Sequence, residues 1–171
     1  MYNNIIVVDS GAKIHYRTLK IHCKGGKGRG MVCFVGEYQQ VMDSKNRIFI
    51  PSKYRDIIGD HVYITRNVDG CLSVYSEEGW ESYTQRLMTL PSSEGSELTR
   101  FIFSSTMDAK PDGQGRVVLT QKLRDFAGLT KDIYFIGNGD HAEIWDKDRR
   151  DAETSDEKTS KFIEFMQKNK F

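Results

Sequence analysis

The alternation of apolar and polar positions marks out two runs of similar elements. Over residues 32–41 apolar side chains recur at Val32, Phe34, Tyr38 and Val41, which predicts a half-buried strand. After a polar stretch, Ile48-Phe49-Ile50 is a short second strand. Residues 51–58 read as a short helix, with Pro51 at an early helical position and Gly59 closing it. Residues 61–65 and 71–75 are strands joined by the turn signal Asn67-Val68-Asp69-Gly70, which predicts a hairpin. Residues 133–136, the turn Gly137-Asn138-Gly139-Asp140 and residues 143–145 repeat that hairpin, with Tyr75 and Trp145 in equivalent core positions. Between the two runs the period changes. Ser76 is an N-cap candidate with Glu77 and Glu78 in the first turn, and Trp80, Tyr83, Leu87 and Leu90 form a helical stripe stopped by Pro91. A second connecting helix over about residues 93–105 carries Leu98, Phe101 and Ile102. The aromatics of these helices suit core packing or subunit contacts.

The polar stretch before the short strand is present twice. Asp43-Ser44-Lys45-Asn46-Arg47 returns as Asp112-Gly113-Gln114-Gly115-Arg116, at an offset of 112 − 43 = 69. At the same offset Lys53 matches Lys122, Arg55 matches Arg124, Asp56 matches Asp125 and Gly59 matches Gly128, while Ile48-Phe49-Ile50 falls on Val117-Val118-Leu119. This is an internal duplication. Each copy is a polar turn with Asp and Arg four residues apart, an apolar strand, a small basic helix and a hairpin. Asp can hold the turn by accepting backbone N–H bonds, and Arg then presents five donors in a plane. Two readings follow: a structural Asp–Arg pair repeated with the fold, or a guanidinium held out for a ligand. Exposed ion pairs add little stability, which makes the first a weak reason for the pattern alone. One such unit cannot bury its own apolar faces. Two of them interlocked into a barrel can, which also removes open sheet edges. The fold class is therefore mainly β with short helices (α+β), as two tandem β-α-β-β repeats with connecting helices.

Charge changes the picture. With 25 basic and 24 acidic residues the net charge is +1, so the chain is no bulk polycation and any nucleic-acid contact must come from local clusters. Lys45, Arg47, Lys53 and Arg55 cluster in the first copy, and Arg116, Lys122 and Arg124 in the second. Arg grips guanine or phosphate by two bonds, and Lys serves phosphate as a point charge. No hydrolase elbow, zinc-protease motif or usefully spaced Cys–His pair is present, and the expectation is no enzyme, no cofactor and no metal. His15, His22, Cys23 and Cys33 have no zinc-knuckle spacing. Three cysteines (Cys23, Cys33 and Cys71) without paired spacing make no disulfide framework and point to a reducing compartment. No apolar run in the sequence is long enough to span a bilayer.

The ends differ from the middle. Residues 2–8 suit a strand, and nothing in residues 1–30 has a signal-peptide layout. Lys24-Gly25-Gly26-Lys27-Gly28-Arg29-Gly30 reads as a flexible basic linker, as a phosphate cradle without the usual spacing, or as a translated ribosome-binding site ahead of a natural start at Met31. The last reading makes 1–30 an extension introduced by the gene model. Residues 151–160 are polar and read as loose, and 161–171 as an amphipathic helix or a frayed tail. The expected division is 1–30 extension, 31–80 first repeat, 81–105 connecting helices, 106–150 second repeat and 151–171 charged tail.

Asp43-Ser44-Lys45-Asn46-Arg47 with Pro51 and Tyr54-Arg55, and Asp112-Gly113-Gln114-Gly115-Arg116 with Leu123-Arg124 and Ala127-Gly128-Leu129, resemble the two signatures of the MraZ family of bacterial transcriptional regulators. The likeness runs from Met31 to about Arg150. It departs at Asn46, where the family usually has glycine, at Gln114, where a small or basic residue is common, and at Thr120, which stands where the first copy has Pro51. The resemblance implies an AbrB-like, swapped-hairpin (double-psi-like) barrel. It implies a ring-forming homo-oligomer, cytoplasmic and nucleoid-associated, that binds double-stranded DNA at promoter direct repeats and represses its own division and cell-wall gene cluster. It implies DNA contact by Arg47 and Arg116 within turns that include Asp43, Lys45, Asn46, Asp112 and Gln114. The basic residues Lys53, Arg55, Lys122 and Arg124 support those turns, Arg55 and Arg124 by buttressing them through Asp or backbone carbonyls. The other reading of the residues is a non-catalytic, antitoxin-like interaction module of the same fold group.

Overall fold

The computed structural model describes residues 22–23 and 31–170. The strand expected over 2–8 and the basic run 24–30 lie outside them. A two-residue ladder pairs β1 (His22–Cys23) with β2 (Met31–Val32). The first copy then supplies β3 (Glu37–Val41), β4 (Arg47–Phe49), α1 (Ser52–Ile58), β5 (Val62–Arg66) and β6 (Leu72–Tyr75). Helices α2 (Glu77–Met88) and α3 (Ser92–Phe103) connect it to β7 (Met107–Ala109), β8 (Arg116–Val118), α4 (Gln121–Ala127), β9 (Asp132–Asn138) and β10 (His141–Asp146). Helices α5 (Lys147–Glu153) and α6 (Asp156–Lys168) follow. The fold is thus antiparallel sheet with short helices, as the pattern predicted.

The two copies exchange strands. The main sheet has the order β3-β9-β10-β6-β5-β7, entirely antiparallel. The first strand of each copy therefore pairs with the hairpin of the other, β3 on β9 and β7 on β5, and the short strands β4 and β8 pair across the copies as a separate ribbon. Register carries the repeat through. Tyr63 opposes Tyr75, and Tyr134 opposes Trp145, so Tyr75 and Trp145 are equivalent and both are buried. Val62 opposes Ala109 while Ile133 opposes Gln40, an offset of 133 − 62 = 71 in this strand, so the second copy has gained two residues between helix and hairpin. Side chains from both copies fill one core: Ile48, Tyr54, Ile64 and Val74 with Val117, Leu123, Phe135 and Ile144. Tyr54 sits edge-on to Phe34 and Tyr38 and donates its hydroxyl to the Gly36 carbonyl at 2.8 Å, which satisfies the polar end of a buried ring.

Three expectations change. The strand over 32–41 is broken between β2 and β3, because Phe34 leaves the strand to enter the core and bridges Gly139 instead. The charged stretch 151–160 is not loose. Asp146 caps α5 by accepting from the backbone of Asp148 and Arg149, and i,i+4 pairs such as Lys161–Glu157 at 2.7 Å lace α6, so local pairing makes helices where composition suggested none. Cys71 is a free, buried thiol, whereas Cys33 is disulfide-bonded and not a scattered thiol. Among the described residues no helix is long and apolar enough to cross a membrane.

Candidate nucleic-acid interface

The two polar turns have the same hydrogen-bond skeleton. In the first, the Asn46 amide donates to the Asp43 carbonyl at 2.9 Å and the Asp43 amide to the Arg47 carbonyl at 3.0 Å. Asp43 Oδ1 accepts from the amides of Lys45 and Arg47, each at 2.9 Å, and Oδ2 accepts from Arg47 Nε and Nη2, each at 2.6 Å. In the second, Asp112 Oδ1 accepts from the Gln114 and Arg116 amides at 2.9 Å, and Oδ2 from Arg116 Nε and Nη2 at 2.7 Å. Four donors on one carboxylate favour its charged form. The Arg47 guanidinium first, then its backbone amide, hold Asp43 down at a pKa of about 2, and Arg116 does the same for Asp112. These are ionised turn residues, not raised-pKa acids.

One backbone position in each turn needs left-handed φ. Asn46 takes it at φ 58° and Gly115 at φ 78°. Asn is among the few side-chain residues that enter this region readily, so the departure from glycine leaves the turn intact. Gly115 has a second reason to lack a side chain: a Cβ there would lie 2.5 Å from Arg55 Cδ and Nη1.

The turns sit at opposite ends of the β4–β8 ribbon. Arg47 opposes Val118, Ile48 opposes Val117 and Phe49 opposes Arg116. Alternation sends Ile48 and Val117 into the core and leaves Arg47, Phe49, Arg116 and Val118 on the outer face. Phe49 and Val118 remain 41% and 56% exposed, two large apolar side chains on the outer face of the ribbon. Arg116 stacks over the Phe49 ring at 5.7 Å. Backbone bonds beyond the ladder, Ile50 N–H to Gly115 O and Leu119 N–H to Asn46 O, tie each turn to the other copy's strand.

The supporting residues divide. Arg55 donates to the Gln114 carbonyl at 3.2 Å, so a first-copy helix braces the second-copy turn. Arg124 bonds the Leu119 carbonyl and Gln121, and with Asp43, Ser44 and Asn46 it lines an open groove beside the first turn. Arg55 thus reaches a turn through a backbone carbonyl, whereas Arg124 bonds the start of its own helix and, among the described residues, no turn residue. Lys122 instead donates to the Ser104 carbonyl at the end of α3, away from its turn, and Lys53 is half-buried on α1. Lys45 and Gln114 are exposed at the turn tips. Phe49 and Val118 were not singled out by the sequence, where each triplet reads only as a short apolar strand; the one-in, one-out alternation was the available signal.

A model of the MraZ protein family, described as antitoxin-like, matches residues 33–100 and again 102–163, once on each copy. The chain is 41% identical over 124 residues to the protein named Transcriptional regulator MraZ of Lachnoclostridium phytofermentans, covering 72% of this chain and 88% of that one. It is 39% identical over 129 residues to the protein of that name from Acetivibrio thermocellus, covering 74% and 90%, and 36% identical over 140 residues to that of Heliobacterium modesticaldum, covering 77% and 98%.

Proposed function

The chain belongs to the MraZ family, and from that premise we propose that it is a transcriptional regulator that binds DNA in a sequence-specific way through its paired Asp-x-x-x-Arg turns. The observation that carries this is the β4–β8 ribbon, which holds Arg47 and Arg116 on one outer face between two turns of the same build. A two-stranded ribbon fits the major groove, where Arg reads guanine O6 and N7 by two bonds. Lys45 and Arg47 are the first contacts, with Asn46, Gln114 and Arg116 joining from the tips and the second turn, and Asp43 and Asp112 acting as the clamps that hold them. Lys53 and Lys122 add general positive potential.

A protomer of net charge +1 binds poorly alone, so affinity comes from several protomers on repeated operator boxes. The assembly is a ring of identical chains, cytoplasmic and nucleoid-associated. It occupies direct repeats upstream of its own division and cell-wall gene cluster and represses it. The strand exchange between repeats 31–80 and 106–150 is of the interlocked swapped-hairpin kind. Nuclease footprinting of that upstream DNA tests the reading: regularly spaced protections are expected, and an unprotected region at saturating protein would refute it. One observation favours a second reading, an antitoxin-like interaction module. Helix α6 leaves Phe162, Ile163, Phe165 and Met166 exposed, a face suited to a protein partner. Proteolysis in the presence of operator DNA separates the two: under the first reading DNA shields the ribbon turns as well, and under the second it shields nothing.

A further inference from the structure

The repeat has a twin position that is closed in one copy and open in the other. Arg66 opposes Leu72 in the first hairpin as Gly137 opposes Ala142 in the second. At Gly137 the lead-in segment crosses as backbone, and a Cβ there would run into Phe34 and Val35. That side is sealed by Phe34, which is fully buried. In the first copy the corresponding lead-in is the end of α3, and Ile102 with Phe101 and Leu98 roofs a half-enclosed cavity of about 510 Å³. Arg66 lines it. Its guanidinium is clamped between the rings of Phe101 at 5.3 Å and Phe126 at 4.8 Å. Its Nε is shut off from water and has no acceptor among the described residues. A buried charged donor without a partner is costly, and such an atom calls for an explanation.

The twin hairpin carries a buried carboxylate, Glu143, where the first hairpin has the hydroxyl of Ser73. In the second hairpin the carboxylate of Glu143 accepts from Asn138 Nδ2 and Trp145 Nε1, each at 2.8 Å. Burial opposes its charge, but His141, Trp145 and Asn138 outweigh it and hold the group ionised at a pKa of about 2. In the first hairpin Asn67 Nδ2 donates instead to the short hydroxyl of Ser73 at 2.9 Å, and no carboxylate is supplied. We infer that this cavity is a binding site for a small amphipathic anion, with a flat apolar body under α3 and a carboxylate-like group on Arg66. Its volume is in the range of small-molecule sites, and aromatic and aliphatic walls stand beside the polar groups of Arg66, Asn67, Ser73 and His141. Glu143 lies directly across the strands from Ser73, and Asp140 bonds His141 at 2.7 Å, so negative charge occupies the far end. The acid therefore seats at Arg66 and not at His141, although His141 Nε2 also lacks a hydrogen bond and stands 3.6 Å from Glu143.

Calorimetric titration of the full chain with 2-naphthoate, beside the uncharged 2-naphthamide, tests this. Saturable binding of the acid is expected, with the amide at least about tenfold weaker. Arg66→Met, which keeps an unbranched apolar stem, should abolish the difference between the two. Leu98→Trp, at a half-exposed position of α3, should block both ligands and keeps the test decisive if Arg66→Met does not fold. Equal binding of acid and amide, unchanged acid binding in Arg66→Met or in folded Leu98→Trp, or no saturable binding, would overturn the inference.

Discussion

The first and second turns share every clamp bond and differ at the tip. Asp43 and Asp112 each hold two backbone amides and one guanidinium at nearly the same distances. At the next layer the first turn has Lys45 and Asn46 where the second has Gln114 and Gly115. The comparison separates two jobs that the sequence pattern merges. Asp, Arg and the left-handed position build the loop, so the plain structural reading of the pair is right as far as the carboxylate goes. The tip residue and the unshared edge of the guanidinium are what the proposed DNA contact would use. The Arg47 side chain is 28% exposed against 20% for Arg116, which also stacks on Phe49. The first turn is thus the more available and the more basic of two loops with one scaffold.

The largest effect comes from removing what joins the loops. Ile48 is fully buried at the centre of the ribbon, opposite Val117. Ile48→Ala should cost about 3 kcal/mol in urea unfolding, and because the strands are exchanged it should shift one cooperative transition for the whole body. Two separate transitions, with only the first displaced, would show that the copies are independent. A smaller effect sharpens the tip difference. Gly115→Ala places a Cβ against Arg55 at positive φ and should destabilise by about 1–2 kcal/mol, while Asn46→Gly should stay within about 0.5 kcal/mol. Equal losses in thermal unfolding would mean that Arg55 is not packed on the second turn.

Exchange of the tip residues is subtler. Lys45→Gln should lower the slope of log affinity against log salt by about 0.9 per contact, about threefold in affinity between 50 and 200 mM salt, and Gln114→Lys should raise it by as much. Slopes unmoved by either change would take the tips out of the interface. The smallest effect is in acid. Both Asp carboxyls titrate at about 2 against an ordinary 3.8, so their clamps are complete above about pH 4 and are lost as pH falls through 2. Carboxyl carbon-13 titration should give matching midpoints; a midpoint near 3.8 for one residue would show that its guanidinium has let go.

How much of this could be read beforehand depends on whether the signal was local. The duplicated turn, its basic helix and the hairpin were legible, because Asp, Gly and alternating apolar residues act over a few positions. Arg55 as a buttress was legible as a role, but not its target, since the Gln114 carbonyl belongs to the other copy and reaches it only through strand exchange. Phe49 and Val118 were hidden for the same reason: which side of a three-residue strand is covered depends on its partner. Helix α5 and the first residues of α6 were missed because their support is pairing between charges, which composition alone reads as solvation, whereas the rest of α6 falls in 161–171, where an amphipathic helix was one of the two readings. The Arg66 cavity has no sequence signal at all, as it arises from what α3 fails to fill.

DNA binding through the first turn is tested most directly by an anisotropy titration of labelled DNA from upstream of the gene at two salt concentrations, with wild type, Arg47→Ala and Arg116→Ala. Salt-sensitive binding is expected, with a loss of about thirtyfold in Arg47→Ala and a smaller loss in Arg116→Ala. Binding untouched by Arg47→Ala, or no binding at the lower salt, would contradict binding through that turn.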